Sequence, residues 1–197
     1  EMCGRTGILI HSYVLMSNHY HLLVETPEGN LVAAMKWFLG TYTQRYNVRH
    51  RLVGHLFQGR YKALVVDPEE PKYARAVSDY IHLNPARAGL ADGAENPLEA
   101  YVWSSYPRFL KPPGKPSWLC VAAVLSWHGW DTGRSADRRA YAKYMQMRVR
   151  EREKGGGLIY EEVQERLRRG WYLGGEAFKK RMEDLIDRVV SLHSRTS

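Results

Sequence analysis

Two histidines placed two residues apart, His19 and His21, constrain this chain more than any other feature. They lie in an apolar run over residues 12–25. Residues i and i+2 of a β-strand project from the same face about 7 Å apart, so both imidazoles can reach one divalent metal. The pattern therefore predicts a metal-dependent site. The simpler alternative is a pair of polar residues on a solvated strand face.

The same run predicts a pair of strands over residues 8–16 and 19–26, which meet in a turn at Ser17-Asn18. Side chains alternate between the two faces of a strand. We expect the face of Leu22 and Val24 to pack on the core and the face of the two histidines to lie opposite.

Two further elements are predicted after this strand pair. Asn30 can cap a helix over residues 31–47, because its apolar residues recur at helical spacing. Residues 56–66 have the composition of a third strand, on which Arg60 and Lys62 would project from one face toward phosphates. In isolation, such a pair of cations is usually only a solvated strand face.

A second helix is predicted around a tyrosine. Apolar residues recur at helical spacing from Tyr73 to Leu83, and Pro85 disfavours helical geometry at Asn84, so the helix should end there. Tyr80 and Asn84 are four residues apart and share one helical face. A phenol with a pKa of about 10 is a weak nucleophile at neutral pH unless a metal or base assists it. The carboxamide of Asn84 can supply a third metal ligand.

Charge is unevenly distributed along the 197 residues. The chain carries 29 Lys and Arg against 21 Asp and Glu, a net charge of +8 with an isoelectric point near 9.5, as expected for a protein that binds a polyanion. Residues 1–110 contribute +1 and residues 111–197 contribute +7. A merely basic, soluble surface explains the isoelectric point equally well.

The Pro- and Gly-rich segment 111–116 is a linker by composition and predicts a domain boundary, with one domain over residues 1–110 and a basic helical region over residues 111–197. The second region has four predicted helices, at residues 118–128, 135–152, 160–169 and 176–192. A Gly break at residues 155–157 separates the second helix from the third. The last two helices have the spacing of a helix-turn-helix, although most helical hairpins bind no DNA.

Composition also indicates where the protein acts. No apolar run approaches the roughly 18 residues that span a bilayer, and no secretory signal is visible. Cys3 and Cys120 lie far apart and suggest neither a disulfide framework nor a zinc site. We therefore expect a cytoplasmic protein with no membrane partner.

Five blocks of this sequence, in order, resemble the HUH transposases with a single catalytic tyrosine, and within them the REP-associated tyrosine transposases of the IS200-like superfamily. The blocks are Met16-Ser17-Asn18-His19-Tyr20-His21-Leu22-Leu23-Val24, Gly40-Thr41-Tyr42-Thr43-Gln44-Arg45-Tyr46-Asn47, Gly54-His55-Leu56-Phe57-Gln58-Gly59-Arg60-Tyr61-Lys62-Ala63, Tyr80-Ile81-His82-Leu83-Asn84-Pro85-Ala86-Arg87-Ala88-Gly89-Leu90 and Trp103-Ser104-Ser105-Tyr106. In that family the middle residue of the HUH motif is a bulky hydrophobe, which Tyr20 satisfies loosely.

The resemblance implies an α+β fold, in which an antiparallel ferredoxin-like sheet carries helices on its faces and is followed by the helical C-terminal region. It implies that His19, His21 and Asn84 hold Mg²⁺ or Mn²⁺ and that Tyr80 is the nucleophile. The implied reaction is cleavage and strand transfer of single-stranded or hairpin DNA through a 5′-phosphotyrosine, in the nucleoid. The resemblance leaves open whether the protein forms a homodimer. The predicted DNA contacts are Arg45, Arg60, Lys62, Arg138, Arg139 and Lys143.

Members of that family usually have a strand and a long helix before the HUH strand pair, and here about ten residues precede it. A fragment, a misannotated start and a decayed copy stay open as explanations. The main rival function is a domesticated hairpin-DNA-binding protein with impaired catalysis. A replication initiator or relaxase is a second rival, but those generally carry a third histidine ligand, and the sequence has none at a suitable position.

Overall fold

The structure is a computed structural model, which describes residues 1–91, 95–111, 115–130, 134–152, 163, 165–166 and 172–194. It is an α+β protein, as predicted. The helices are α1 Met2–Thr6, α2 Leu31–His50, α3 Pro71–Arg87, α4 Tyr106–Leu110, α5 Val121–Trp127, α6 Ser135–Arg152 and α7 Glu176–Ser194, and the strands are β1 Leu9–Leu15, β2 Tyr20–Glu25, β3 Val65–Val66 and β4 Tyr172–Leu173. The predicted helix 160–169 and Gly break 155–157 lie largely or wholly outside the described residues.

The strands β1 and β2 form the predicted antiparallel hairpin. The tight turn is closed by the Met16 amide, which donates to the His19 carbonyl oxygen at 2.8 Å. The free edge of β1 is covered by later segments of the chain: the Ser105 amide donates to the Tyr13 carbonyl oxygen, and the Cys120 amide donates to the Ile10 carbonyl oxygen. Within the described residues β2 pairs only with β1.

The two long N-terminal helices cover opposite faces of this hairpin. Tyr20 points toward α2, where its ring lies 6.3 Å from that of Phe38, whereas His21 points toward α3. Leu23, on the face of the histidines, is 8% exposed and is the most buried residue of β2. Both faces are therefore packed, which corrects the expectation that the face of Leu22 and Val24 is the core face.

Three local predictions were wrong. Residues 56–64 are irregular, and only Val65–Val66 is extended, paired in parallel with β4. The helix α3 continues through Pro85 to Arg87, although Pro85 has no amide to donate to the Ile81 carbonyl oxygen, because residues 80–86 of the helix are buried. Asn30 precedes α2, but its side-chain amide donates to the Thr6 carbonyl oxygen at 2.8 Å instead of capping α2.

One hydrophobic cluster joins the N-terminal and C-terminal parts of the chain. Met2, Ile8 and Ile10 pack in it with Leu119 to Leu125 of the α5 region and with Tyr141 and Met145 of α6. Tyr141 and Leu119 are fully buried. The predicted boundary near residue 111 stays a prediction, but the two sides share a core.

A buried chain of polar groups crosses this core at His82, which has no exposed surface. The Ser105 hydroxyl accepts from the Tyr13 amide at 2.9 Å and donates to the Tyr13 carbonyl oxygen at 3.2 Å. The Nε2 of His82, 2.7 Å away, therefore donates to Ser105, and the Tyr141 hydroxyl donates to its Nδ1 at 2.6 Å. Burial lowers the pKa of His82 to about 3, so the ring is neutral.

The burial of neutral His82 predicts that the stability of the fold decreases at acidic pH. Above pH 6.5 the imidazole is neutral in both the folded and unfolded chains, and its contribution to stability is full. Below pH 6.5 only the unfolded chain takes up the proton, so the free energy of unfolding should fall by about 1.4 kcal/mol per pH unit on this account as the pH falls toward 3. Urea unfolding between pH 5 and pH 6 should show a shallower pH dependence for His82→Gln, and the same dependence as wild type for the exposed His50→Gln. Equal slopes for all three proteins would contradict this prediction.

Candidate active site

The side chains of His19, His21 and Tyr80 come together where β2 faces α3. The rings of His19 and His21 are 5.0 Å apart between centroids, and those of His21 and Tyr80 are 5.2 Å apart, nearly perpendicular. Tyr80 is 7% exposed, whereas His19 is exposed. His19 lies just before β2 and His21 lies within it, and the middle of α3 brings the phenol of Tyr80 against the ring of His21.

Two properties of His21 are those expected of a metal ligand. Burial, and secondarily the nearby His19, lowers the pKa of His21 to about 4, so its ring is neutral at physiological pH. The Nε2 of His21 is buried and has no hydrogen-bond partner among the described residues. A buried nitrogen without a partner is costly unless something binds it. These properties fit a divalent cation held by His21.

The surface histidine fits the same interpretation. The Nδ1 of His19 lies 2.7 Å from Oδ1 of Asn18, an acceptor, so Nδ1 carries the proton and Nε2 has the free lone pair. Metal-bound histidines commonly donate their other ring nitrogen to an oxygen in this way, which fixes the orientation of the ring. Asn18 was not predicted to have this role.

Asn84, the predicted third ligand, lies one turn after Tyr80 on α3 and is 8% exposed. Its role as a ligand stays a prediction. In the part of the chain that the structure describes, no group of three His, Cys, Asp or Glu side chains could hold a metal. A site on this face would thus need an amide oxygen beside the two imidazoles.

The predicted DNA contacts lie in three parts of the chain, namely α2, the irregular segment 56–64 and α6. Arg45 is on α2 and forms an ion pair with Glu1 at 2.8 Å, and Arg60 and Lys62 are exposed in the irregular segment rather than on a strand. On α6, Lys143 is exposed, and Arg138 and Arg139 line a cavity of about 290 Å³. Their contact with DNA stays a prediction.

An acidic residue next to the tyrosine was missed by the sequence analysis. Asp79 is 3% exposed, and its carboxylate accepts from the Tyr144 hydroxyl at 2.6 Å and from Nε2 of His128 at 3.0 Å. Nδ1 of His128 lies 2.9 Å from the Val124 carbonyl oxygen. Both ring nitrogens of His128 therefore face oxygen acceptors, one on Asp79 and one on the backbone of α5.

The same carboxylate explains the state of Tyr144. Burial, together with the Asp79 charge, raises the pKa of Tyr144 to about 12, so the phenol is neutral and donates. This network ties α3, beside its tyrosine, to α5 and α6. No local pattern predicts it, because Asp79 lies 49 residues before His128 and 65 before Tyr144.

Comparison with known proteins gives one match, which covers the N-terminal part of the chain. Residues 1–84 match the family model described as "Transposase IS200 like". The match includes both histidines and Tyr80 and ends at Asn84. The match covers 84 of the 197 residues, and it shows that this N-terminal part of the chain is similar to the IS200-like transposases.

The α+β hairpin and helices are consistent with that family's fold. No curated protein and no solved structure matches the chain. Among the described residues, no helix has the length and apolar character needed to cross a bilayer.

Proposed function

We propose that this protein cleaves and rejoins single-stranded DNA, with Tyr80 as the nucleophile and with His19, His21 and Asn84 holding Mg²⁺ or Mn²⁺. The observation that carries the proposal is the pairing of Tyr80 with His21, whose buried Nε2 has no partner among the described residues. A neutral imidazole beside a phenol, together with an exposed imidazole, is what a metal-assisted transesterification requires.

In the proposed reaction, Tyr80 and the metal-binding residues have different roles. The phenol oxygen of Tyr80 attacks the scissile phosphorus, the bond to the 3′ oxygen breaks, and the phenolic proton passes through solvent to the leaving 3′-hydroxyl. One phosphodiester replaces another, so rejoining by the released 3′-hydroxyl needs no other energy source. When bound, the divalent ion supplies charge stabilisation at the phosphate oxygens.

The proposed substrate is a DNA hairpin of the REP type, and the proposed location is the nucleoid. Net charge supports a nucleic-acid partner, since the chain carries +8. We propose that Arg45, Arg60 and Lys62 contact the strand near the site and that Arg138, Arg139 and Lys143 contact the duplex stem. The alternative is binding of the hairpin without cleavage.

Covalent capture tests the proposal. A hairpin oligonucleotide labelled at its 3′ end should become attached to the wild-type protein when Mn²⁺ or Mg²⁺ is present, and EDTA should abolish the adduct. Tyr80→Phe should give no adduct while retaining affinity, since only the nucleophilic oxygen is lost. Denaturing electrophoresis measures the adduct, and filter binding measures the affinity.

Tyr73→Phe is the matched control, because Tyr73 is on the same helix seven residues earlier. It should give the wild-type amount of adduct. An adduct that persists in Tyr80→Phe would reassign the nucleophile. An adduct carrying a 5′ label instead would contradict the direction of cleavage. Tight binding by the wild type without any adduct would favour the binding protein.

A further inference from the structure

A small cavity lies between α3 and α6, at the position of Tyr80. It has a volume of about 30 Å³, and its lining includes Arg75, Asp79, Tyr80, Tyr144 and Arg148. A single water needs about 10–15 Å³ of such space, so the cavity has room for one or two oxygen-sized groups.

Arg148 is held rigidly at this cavity. One terminal nitrogen donates to the Tyr144 hydroxyl at 2.8 Å and lies 3.6 Å from a carboxylate oxygen of Asp79, and its Nε lies 3.3 Å from Glu151 on the exposed rim. The guanidinium also lies over the Tyr144 ring, 5.7 Å from its centroid. Its remaining terminal nitrogen has no partner among the residues that the structure describes.

The lining of this cavity carries two arginines, Arg75 and Arg148, against one carboxylate, that of Asp79. The buried Asp79 carboxylate already accepts a hydrogen bond from Tyr144 and lies 3.0 Å from Nε2 of His128. Arg75 is half-buried on the same helix, four residues before Asp79, and no described carboxylate pairs with it. Glu151 offsets part of the charge of Arg148, but it is 57% exposed and the surrounding water screens it.

We propose that Arg75 and Arg148 form a binding site for one phosphodiester of the DNA strand, next to the phosphate that Tyr80 attacks. Guanidinium groups bind phosphate oxygens through paired, charge-assisted hydrogen bonds, and the cavity accepts an oxygen of that phosphate while the rest lies across its mouth. The inference rests on the proposed function, because it places a DNA strand along the exposed end of the site. The inference also assigns part of the DNA-binding surface to α6, which lies after the predicted linker.

Salt-dependent binding tests this site in the full-length Tyr80→Phe protein, where no covalent adduct can form. Each phosphate contact contributes about 0.7 to the slope of log affinity against log salt for a single strand, and about 0.9 for duplex DNA. Adding Arg75→Gln should weaken binding of the hairpin oligonucleotide and lower the slope by about 0.7. Arg75→Lys, which keeps the charge, should retain most of the slope.

The control is Lys36→Gln, the same change of charge at an exposed position on α2, which covers the opposite face of the hairpin. It should leave affinity and slope unchanged. Circular dichroism should show that all variants are folded. An unchanged slope in Arg75→Gln, or an equal loss in Lys36→Gln, would overturn the site.

The two proposals fail in distinguishable ways. If the hairpin binds and Arg75→Gln leaves the slope intact, only the phosphate site is wrong. If the Tyr80→Phe protein binds the hairpin and Arg75→Gln lowers the salt slope as expected, but the wild type forms no adduct, only the proposed cleavage is wrong. If no DNA binds at all, both are wrong.

Discussion

A chain that ends at Leu110 is expected to be unfolded. It would lose six buried side chains of the shared hydrophobic cluster, namely Leu119, Val121, Val124, Leu125, Tyr141 and Met145. Each buried side chain of this size stabilises the fold by about 1.5–3 kcal/mol, so the loss is comparable to the whole net stability of about 5–15 kcal/mol of a typical domain. Far-UV circular dichroism and urea titration should show no cooperative transition.

A chain that ends at Arg152 is the control for this truncation. It keeps α5 and α6, and with them the described residues of that cluster. It loses Val163 and Leu173 from a second, smaller cluster around Tyr80, and it should remain folded with reduced stability. A cooperative transition in the chain ending at Leu110 would show that the two parts fold independently, as the composition of the 111–116 linker predicts.

Asp79→Ala is expected to destabilise the protein by about 2–6 kcal/mol, because two buried polar groups would each lose a hydrogen-bond partner at a cost of about 1–3 kcal/mol. These groups are the imidazole of His128 and the Tyr144 hydroxyl. Asp79→Asn keeps an oxygen that can accept one of these hydrogen bonds, so it should cost less. The free energy of unfolding in urea at pH 7 measures both.

A double-mutant cycle separates the contact between Asp79 and His128 from general packing. If the contact with the carboxylate matters, His128→Gln in the Asp79→Asn background should cost much less than His128→Gln alone, because the carboxylate has already been removed. Additive losses would mean that Asp79 acts through packing. Ser126→Ala offers a control on α5, since its exposed hydroxyl bonds only locally to the Ala123 carbonyl oxygen.

The elements that sequence predicted well are those specified by local pattern. The alternation of apolar and polar residues, with a turn between the two runs, predicted β1 and β2. Apolar residues at helical spacing predicted α3, because a single hydrophobic periodicity dominates that segment. The pairing of His19 with His21 followed from strand geometry alone. The approach of Tyr80 to His21 came from the family resemblance, since 59 residues separate them along the chain.

The errors arise where distant contacts override local preference. The β-rich composition of residues 56–66 predicted a strand, yet only Val65 and Val66 are extended, and their partner is the distant β4. Pro85 stays within α3 because that end of the helix is buried against later residues. The network of Asp79 with His128 and Tyr144 has no local signature at all. These contacts depend on how the C-terminal helices pack against the rest of the chain, and the spacing of residues along the sequence does not predict that packing.

The covering of β1 by late segments has a consequence for biosynthesis. The groups that satisfy its outer edge belong to Ser105 and Cys120, roughly 90 to 110 residues further along the chain. At a translation rate of about 5–20 residues per second, the hairpin emerges from the ribosome several seconds before that edge can be covered. During this interval its unpaired backbone groups are a template for pairing with another chain. Newly made protein should therefore depend on chaperones more than its length suggests, and refolding from denaturant should lose yield as protein concentration rises.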